Sequence, residues 1–258
     1  MRLKCIGCEV LARPIYHCAA LSPHAVDVTL FRRGLHRDPP DLRGWLQREV
    51  DATGAEYDAI AMAYGLCGGA VAGLVAREVP IVLPRAHDCI TVFLGSRGRY
   101  QEEFTGHPGT YWYVQDDLER RDGSGDALLG IGAASDEELE AQYAEYLAKY
   151  GRDNADYLMQ ALGSWRSHYD RAVFIDMGVG DGAAIEARAR DEAERRGWAF
   201  ERTAGELGLV RRLLDGDWSD DYLVLGPGQR LGMSYDDGVI RAEAPGPAVP
   251  REAPGTAD

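Results

Sequence analysis

The sequence has no long apolar run and no concentrated positive charge, and these two absences exclude several classes of protein. Its longest apolar segments fall well short of the roughly 20 residues that cross a bilayer, so we expect no membrane span. Lysine and arginine number 28 against 42 aspartates and glutamates, a formal net charge of −14. The densest basic cluster, 32-RRGLHR-37, is short. Nucleic acid is therefore not an expected partner, because its binding needs a basic surface.

Two further scarcities concern the cellular compartment. The amino terminus, 1-MRLKCIGCEV-10, lacks the apolar core of a signal peptide and is typical of a first strand, so we expect a cytoplasmic protein. Cysteine occurs only five times in 258 residues. In a cytoplasmic chain of this size, such a number does not indicate a disulfide framework.

The sequence does contain an alternation of strand and helix patterns, which is typical of parallel α/β sheets. In the first block the predicted strands are 3–10, 26–31, 57–65 and 79–84, and the predicted helices are 10–21, 42–53 and 69–77. In the second block the predicted strands are 172–178, 198–205 and 221–228, and the predicted helices are 182–197 and 206–216.

This pattern predicts an α/β fold with two Rossmann-like lobes that contain parallel sheets. We place the first lobe at residues 1–100 and the second at 171–232, bridged by a helical and aromatic segment at 101–170. The cleft between two such lobes is a common ligand site. The tail at 242–258 is rich in proline, alanine and glycine, and we predict that it is disordered.

Three cysteines each follow a predicted strand: Cys8, Cys67 and Cys89. If the sheet order is 2-1-3-4, their strands are neighbours, about 5 Å apart. The carboxyl ends of parallel strands line one edge, where open α/β sheets bind ligands. The sequence therefore predicts that the three thiols converge.

A shared metal would explain such a convergence, because three close thiolates repel each other unless a cation neutralises them. Zn²⁺ accepts three cysteines and leaves a fourth position for water, substrate or histidine. A [4Fe-4S] cluster held by three cysteines leaves one iron open. The sequence permits either, with one site per chain. His36, in the proline-rich loop after the second strand, is a candidate ligand at the same edge.

The loop 84-PRAHDCI-90 supplies candidate catalytic groups. His87 is a candidate general acid or base, or a fourth ligand. Asp88 is a candidate to orient it or to accept a proton, and Arg85 a candidate to bind a carboxylate or phosphate.

Glycines near strand ends are candidate ligand contacts, because they let backbone approach a ligand closely. Gly65, Gly68 and Gly69 flank Cys67. Gly178 and Gly180, in 176-DMGVGDG-182, lie between a strand and a helix, where backbone amides can hold an anion.

Several of these motifs together resemble a known family. The segments 64-YGLCGG-69, 84-PRAHDCITVFLGS-96 and 109-GTYWY-113, with a Cys-Glu after the first strand and 34-GLH-36 before proline, resemble domain-of-unknown-function family 1638 over about residues 3–230. The resemblance implies that Cys8, Cys67 and Cys89 belong to the family pattern. It also implies a tie to one-carbon metabolism, because members of the family are often encoded beside corrinoid-dependent methyltransferases.

These observations leave three functional hypotheses. The first is a metal-thiolate enzyme of the lyase, transferase or hydrolase type that acts on a small anionic metabolite in the interlobe cleft. The second is a non-catalytic metal- or corrinoid-binding accessory protein of a methyltransferase system. The third is a metal-free enzyme with one cysteine as nucleophile, which needs a lowered thiol pKa. The organic cofactor, if one is used, is not indicated by the sequence.

Overall fold

The computed structural model describes residues 1–120, 143–144, 147–148, 151–152 and 169–244. The chain forms two compact units. The first contains Met1–Arg99 and the described residues from Gly205 onward, and the second contains the described residues between Tyr100 and Ala204. The mixed α/β class with parallel sheets that the sequence predicts is confirmed.

The regular elements of the described residues are ten strands and seven helices. The strands are β1 (Arg2–Cys8), β2 (Ala25–Phe31), β3 (Ala59–Ala63), β4 (Ile81–Pro84), β5 (Thr110–Val114), β6 (Arg171–Asp176), β7 (Ala199–Ala204), β8 (Tyr222–Leu225), β9 (Arg230–Met233) and β10 (Ile240–Glu243). The helices are α1 (Ala12–Leu21), α2 (Pro39–Ala52), α3 (Cys89–Leu94), α4 (Arg97–Gly106), α5 (Gln115–Glu119), α6 (Ala183–Arg196) and α7 (Gly208–Asp215). Three short 3-10 turns, at Glu9–Leu11, Arg33–Arg37 and Cys67–Gly69, lie in the connections.

The first unit is built on a five-stranded sheet in the order β2-β1-β3-β4-β8. The first four strands are parallel, as the sequence predicts, and their order matches the predicted 2-1-3-4. Every residue of β3 is buried, because a central parallel strand is covered on both faces. The amphipathic helices α1 and α7 pack against each other, and α7 buries Leu209, Val210, Leu213 and Leu214. The carboxyl ends of β1, β3 and β4 therefore meet at one edge.

The second unit contains the parallel sheet β5-β6-β7. Its core is aromatic: Tyr111 and Tyr113 of β5 pack with Phe174 of β6 and with Ala189 and Ala193 of α6. The helix α6 ends at Gly197, whose φ of +70° is the left-handed conformation that closes many helices.

Three predicted boundaries differ from the structure. The predicted second lobe at 171–232 is divided, because β8 pairs antiparallel with β4 of the first sheet and residues 205–232 belong to the first unit. Residues 110–114, predicted within the bridge at 101–170, form a strand of the second sheet. The predicted tail at 242–258 begins too early, because β10 and its antiparallel partner β9 form a hairpin that extends to Glu243. The alternation of strands and helices along the sequence does not determine which sheet each strand joins. This is the reason for the first two errors.

The predicted helix at 69–77 is also wrong. Apart from the 3-10 turn that ends at Gly69, this stretch is an irregular connection. Gly69 and Gly73 have φ of +91° and +94°, which a right-handed helix does not allow, and Val75 bridges to Arg230. Most of the predicted bridge from residue 121 onward lies outside the described residues, as does the remainder of the tail from residue 245.

Candidate functional site

The candidate site lies at the carboxyl edge of the first sheet, where the chain leaves three neighbouring strands. Cys8 is the last residue of β1 and is 3% exposed. Cys67 lies in the loop after β3, and Cys89 is the first residue of α3 after β4. All three cysteines therefore occupy the strand ends at which the sequence places them.

Cys8 contacts His36, which is carried by the 3-10 turn after β2. Cys8 Sγ lies 3.5 Å from His36 Nε2. Burial, together with a smaller effect of the positive charge of Arg33, lowers the pKa of His36 to about 4. The imidazole is therefore neutral near pH 7 and can use a nitrogen lone pair as a hydrogen-bond acceptor or a metal ligand.

The distance between this sulfur and this nitrogen is compatible with two arrangements. Zinc bonds of about 2.3 Å to sulfur and about 2.0–2.1 Å to nitrogen, at a tetrahedral angle, separate the two ligand atoms by about 3.5 Å. A thiol that donates a hydrogen bond to a neutral imidazole spans a similar distance. Cys8 and His36 are thus placed as two members of a possible ligand set.

Cys67 is held beside them by an unusual backbone conformation. Its φ is +48°, in the left-handed region that residues other than glycine rarely adopt, and Gly68 and Gly69 continue with φ of +65° and +91°. The Cys67 thiol accepts hydrogen bonds from the backbone N–H groups of Gly65 and Cys89. Burial raises its pKa, and the nearby Cys8 and Asp88 raise it further. Without a bound cation, Cys67 is therefore a protonated thiol near pH 7.

Two loops approach each other closely at this point. The N–H of Leu66 donates to the carbonyl of Ala86 (2.8 Å), and the N–H of Cys67 donates to the carbonyl of His87 (2.9 Å). A Cβ added at Gly65 would lie 2.6 Å from the Cα of Asp88. Gly65 therefore allows one loop to approach the other.

Tyr64 belongs to the site, although the motif analysis did not select it. It directly follows β3 and is 1% exposed, and its ring lies nearly parallel to that of His36, with centroids 6.0 Å apart. Burial raises the pKa of its hydroxyl well above the usual value, with smaller contributions from Cys8 and Cys67. Among the described residues this hydroxyl has no hydrogen-bond partner. The available signal was its position at the end of an apolar strand, beside the Cys-Gly-Gly turn.

Glu9 and Arg33 are two further charged residues that the sequence did not single out for the site. Arg33 is 3% exposed, and its backbone N–H donates to Glu9 Oε1 at 2.8 Å. The guanidinium charge lies close enough to influence His36, and the Glu9 carboxylate close enough to influence Tyr64. The site therefore contains a buried cation and a carboxylate beside the cysteines.

The predicted catalytic groups of the loop after β4 have contacts that stabilise the fold. Asp88 caps α3, since its Oδ1 accepts from the N–H of Thr91 at 3.2 Å. Arg85 Nη1 donates to the carbonyls of Gly238 (3.0 Å) and Ile240 (2.6 Å), and so holds the β9–β10 hairpin. The side chain of His87 is exposed. Their chemical roles remain predictions.

The remaining glycines and cysteines are not part of this cluster of loops. Gly178 and Gly180 belong to the second unit, in the connection from β6 to α6, where the N–H of Gly178 donates to Asp176 Oδ1. Cys5 is fully buried within β1, and burial raises its pKa to about 12. Cys18 is buried in α1. Cys5 has the surroundings of a packed apolar residue, whereas Cys18 lies near the charged side chains of Arg211 and Asp215.

A complete metal site is not preformed. Within the parts of the chain that the structure describes, no three His, Cys, Asp or Glu side chains are arranged to hold a metal ion together. Cys8 and His36 provide two donors with suitable separation, and Cys67 lies next to them.

Comparison with known proteins identifies the family. Residues 30–214 match the family model described as Protein of unknown function (DUF1638). The chain belongs to the DUF1638 family. The match contains His36, Cys67 and Cys89, whereas Cys8 precedes it. No similar protein was found among curated proteins, nor a similar chain among solved structures. No helix in the described portions of this DUF1638 protein is long and apolar enough to cross a membrane.

Proposed function

We propose that this protein is a metal-dependent enzyme that acts on a small anionic metabolite. One zinc ion or one [4Fe-4S] cluster binds per chain through Cys8, Cys67 and Cys89, with His36 as a further ligand. The observation that carries the proposal is the 3.5 Å separation of Cys8 Sγ and His36 Nε2. Such a separation suits two ligands of one ion.

The protonation states of the ligands support this assignment. His36 is neutral near pH 7, as a ligand must be. The buried Cys67 thiol releases its proton when a cation is present, because metal binding requires the thiolate. With the three cysteines as ligands, the metal would supply Lewis acidity or an open iron position when a substrate takes the fourth position in place of His36. Cys89, at the start of α3, completes the set by rotating its side chain toward Cys8.

The roles of the protein groups follow from exposure and contacts. His87 is exposed and is the group we assign to proton transfer between site and solvent. The carbonyl contacts of Arg85 and the capping bond of Asp88 favour a structural role for these two residues. Through its resemblance to the family, we assign the reaction to one-carbon or methyl-transfer metabolism.

One observation favours a second candidate function. Because Arg85 and Asp88 have structural contacts, only His87 remains from the predicted catalytic set. A cluster with ligands but few catalytic groups suits a non-catalytic protein that carries a metal or a corrinoid for a methyltransferase system. The metal site is common to both candidates, so metal content is the first quantity to measure.

The test is elemental analysis of protein purified without oxygen, for the wild type and single-site variants. We expect about one zinc, or an iron–sulfur cluster with brown colour and absorbance near roughly 400 nm. Cys8→Ser, Cys67→Ser and Cys89→Ser should each reduce metal retention by about tenfold or more. Cys18→Ala, in the buried face of α1, is the matched control and should retain the metal.

Wild-type protein that holds no metal, before or after incubation with zinc or reconstitution with iron and sulfide, would overturn the proposal. Rapid alkylation of a single thiol in such protein would instead support a cysteine nucleophile. Retention of metal by all three serine variants would show that the ligands lie elsewhere.

A further inference from the structure

Tyr64 has a polar group that the fold itself does not satisfy. The residue is 1% exposed, and its hydroxyl oxygen has no hydrogen-bond partner within the described ranges. Buried polar groups in folded proteins are almost always paired with protein or ordered water. A buried hydroxyl at a strand end that no described residue pairs therefore points to a partner beyond these residues, and a bound ligand is such a partner.

The surroundings of this hydroxyl are those of the candidate site. Tyr64 stacks on His36, which contacts Cys8, and the hydroxyl is close to the Cys8 and Cys67 thiols. The residue is fixed in place, because β3 ends one position earlier in the centre of the sheet. A ligand held by the cysteines would thus meet a rigidly placed hydroxyl.

We propose that the Tyr64 hydroxyl donates a hydrogen bond to an oxygen atom of the ligand that binds at Cys8, Cys67 and His36, and that this ligand is a small carboxylate. The proposal rests on the proposed function and specifies its substrate class. Tyr64 is a substrate-binding residue in this arrangement, and it is not a metal ligand.

Charge and hydrogen-bonding capacity determine the class. A protonated tyrosine hydroxyl can donate one hydrogen bond and can also accept, so a carboxylate oxygen is a suitable partner as an acceptor. The buried guanidinium of Arg33 beside His36 favours an anion at this edge. Glu9 contributes a negative charge at the same edge, and its carboxylate accepts a hydrogen bond from the Arg33 backbone N–H. A carboxylate can accept from the hydroxyl and is attracted by the guanidinium, whereas a cationic amine is repelled by the guanidinium.

The first test compares two buried tyrosines in metal-free protein by urea unfolding. Tyr222 is 4% exposed and its hydroxyl donates to the carbonyl of Leu209 at 2.7 Å, so Tyr222→Phe removes a satisfied group and should lower the unfolding midpoint. Tyr64→Phe removes a hydroxyl without a protein partner and should leave the midpoint unchanged or raise it. An equal fall in the unfolding midpoint of the two variants would overturn the proposal. The Tyr64 hydroxyl would then have a permanent partner, such as a structural water.

The second test uses acetate as the probe, with chloride at the same ionic strength as the control. Acetate should raise the thermal unfolding midpoint of the wild type, and its apparent affinity should fall about tenfold or more in Tyr64→Phe, since a hydrogen bond to a charged group is lost. Equal affinities, or no acetate effect on the wild type, would overturn the carboxylate assignment.

Measuring metal content distinguishes a failure of the Tyr64 proposal from a failure of the proposed metal site. Tyr64→Phe should hold as much metal as the wild type, because the hydroxyl is not a ligand. The acetate titration is performed on loaded and on metal-free protein. Absence of metal from the wild type overturns the metal site, while a difference between wild type and Tyr64→Phe in metal-free protein still supports the role of Tyr64.

Discussion

The backbone N–H of Cys67 donates a hydrogen bond of 2.9 Å to the carbonyl oxygen of His87. This bond joins the loop after β3 to the loop after β4. A second bond, from Leu66 N–H to the carbonyl of Ala86, runs beside it. These bonds therefore fix the main chain of Cys67 before any ligand is bound.

Gly65→Ala should destabilise the protein by separating these two loops. The new Cβ would lie 2.6 Å from the Cα of Asp88, which is backbone and cannot rotate away. We expect a loss of about 1–3 kcal/mol in the free energy of unfolding, measured in urea. Gly44→Ala is the control, since a Cβ there meets nothing within 4 Å and a helix-interior position gains about 0.5–1 kcal/mol from alanine. Equal stability of Gly65→Ala and wild type would show that the loops can move apart freely.

Asp88→Ala tests whether this carboxylate acts as a helix cap. Loss of the bond from Thr91 N–H to Asp88 Oδ1 should cost about 1 kcal/mol in unfolding free energy. Asp88→Asn retains a capping oxygen and should recover most of this loss, although it removes the negative charge. If the asparagine variant is as unstable as the alanine variant, the charge of Asp88 matters more than its capping bond.

Acidification should destabilise the metal-free protein through His36. Its pKa is 6.5 in the ordinary state and about 4 in the fold, so between these values the unfolded chain binds a proton that the folded chain does not. Stability is therefore fully present above pH 6.5 and falls as the pH decreases toward 4, by at most about 3 kcal/mol. Urea unfolding of wild type and His36→Gln at several pH values measures this slope. The variant should show a flatter dependence, and identical slopes would contradict the prediction.

Arg85→Ala should loosen the β9–β10 hairpin. It removes the donor to the carbonyls of Gly238 and Ile240, and we expect the amide of Ser234 to exchange its hydrogen about tenfold faster, since about 1.4 kcal/mol corresponds to a factor of ten. Arg241→Ala is the matched control, because its ion pair with Glu243 is largely exposed and contributes little. If the Ser234 amide exchanges at the same rate in Arg85→Ala, Arg85 does not hold the hairpin, and the predicted role in anion binding becomes the better account of this residue.

Much of the first sheet could be predicted because its strands are short apolar runs. The segment 59-AIAMA-63 is buried along its whole length, as a central parallel strand requires. The order 2-1-3-4 then placed Cys8, Cys67 and Cys89 at one edge without knowledge of any contact. The side-chain partners were less predictable. Asp88 caps a helix and Arg85 holds a hairpin that lies more than 150 residues further along the chain. A motif does not state which neighbour a polar side chain will contact.

The sequence alone determined the α/β class and the three cysteines at strand ends, because these depend on local periodicity and on the direction of the chain, whereas the strand order entered only as an assumption that the structure confirms. Only the tertiary structure decided that β8 closes the first sheet, that His36 faces Cys8, and that Tyr64 is buried with its hydroxyl unsatisfied by the described residues. These features depend on contacts between segments distant in the chain, and such contacts arise only when the whole unit packs. The physical reason is that burial and hydrogen bonding are properties of the packed neighbourhood, whereas periodicity is a property of the segment itself.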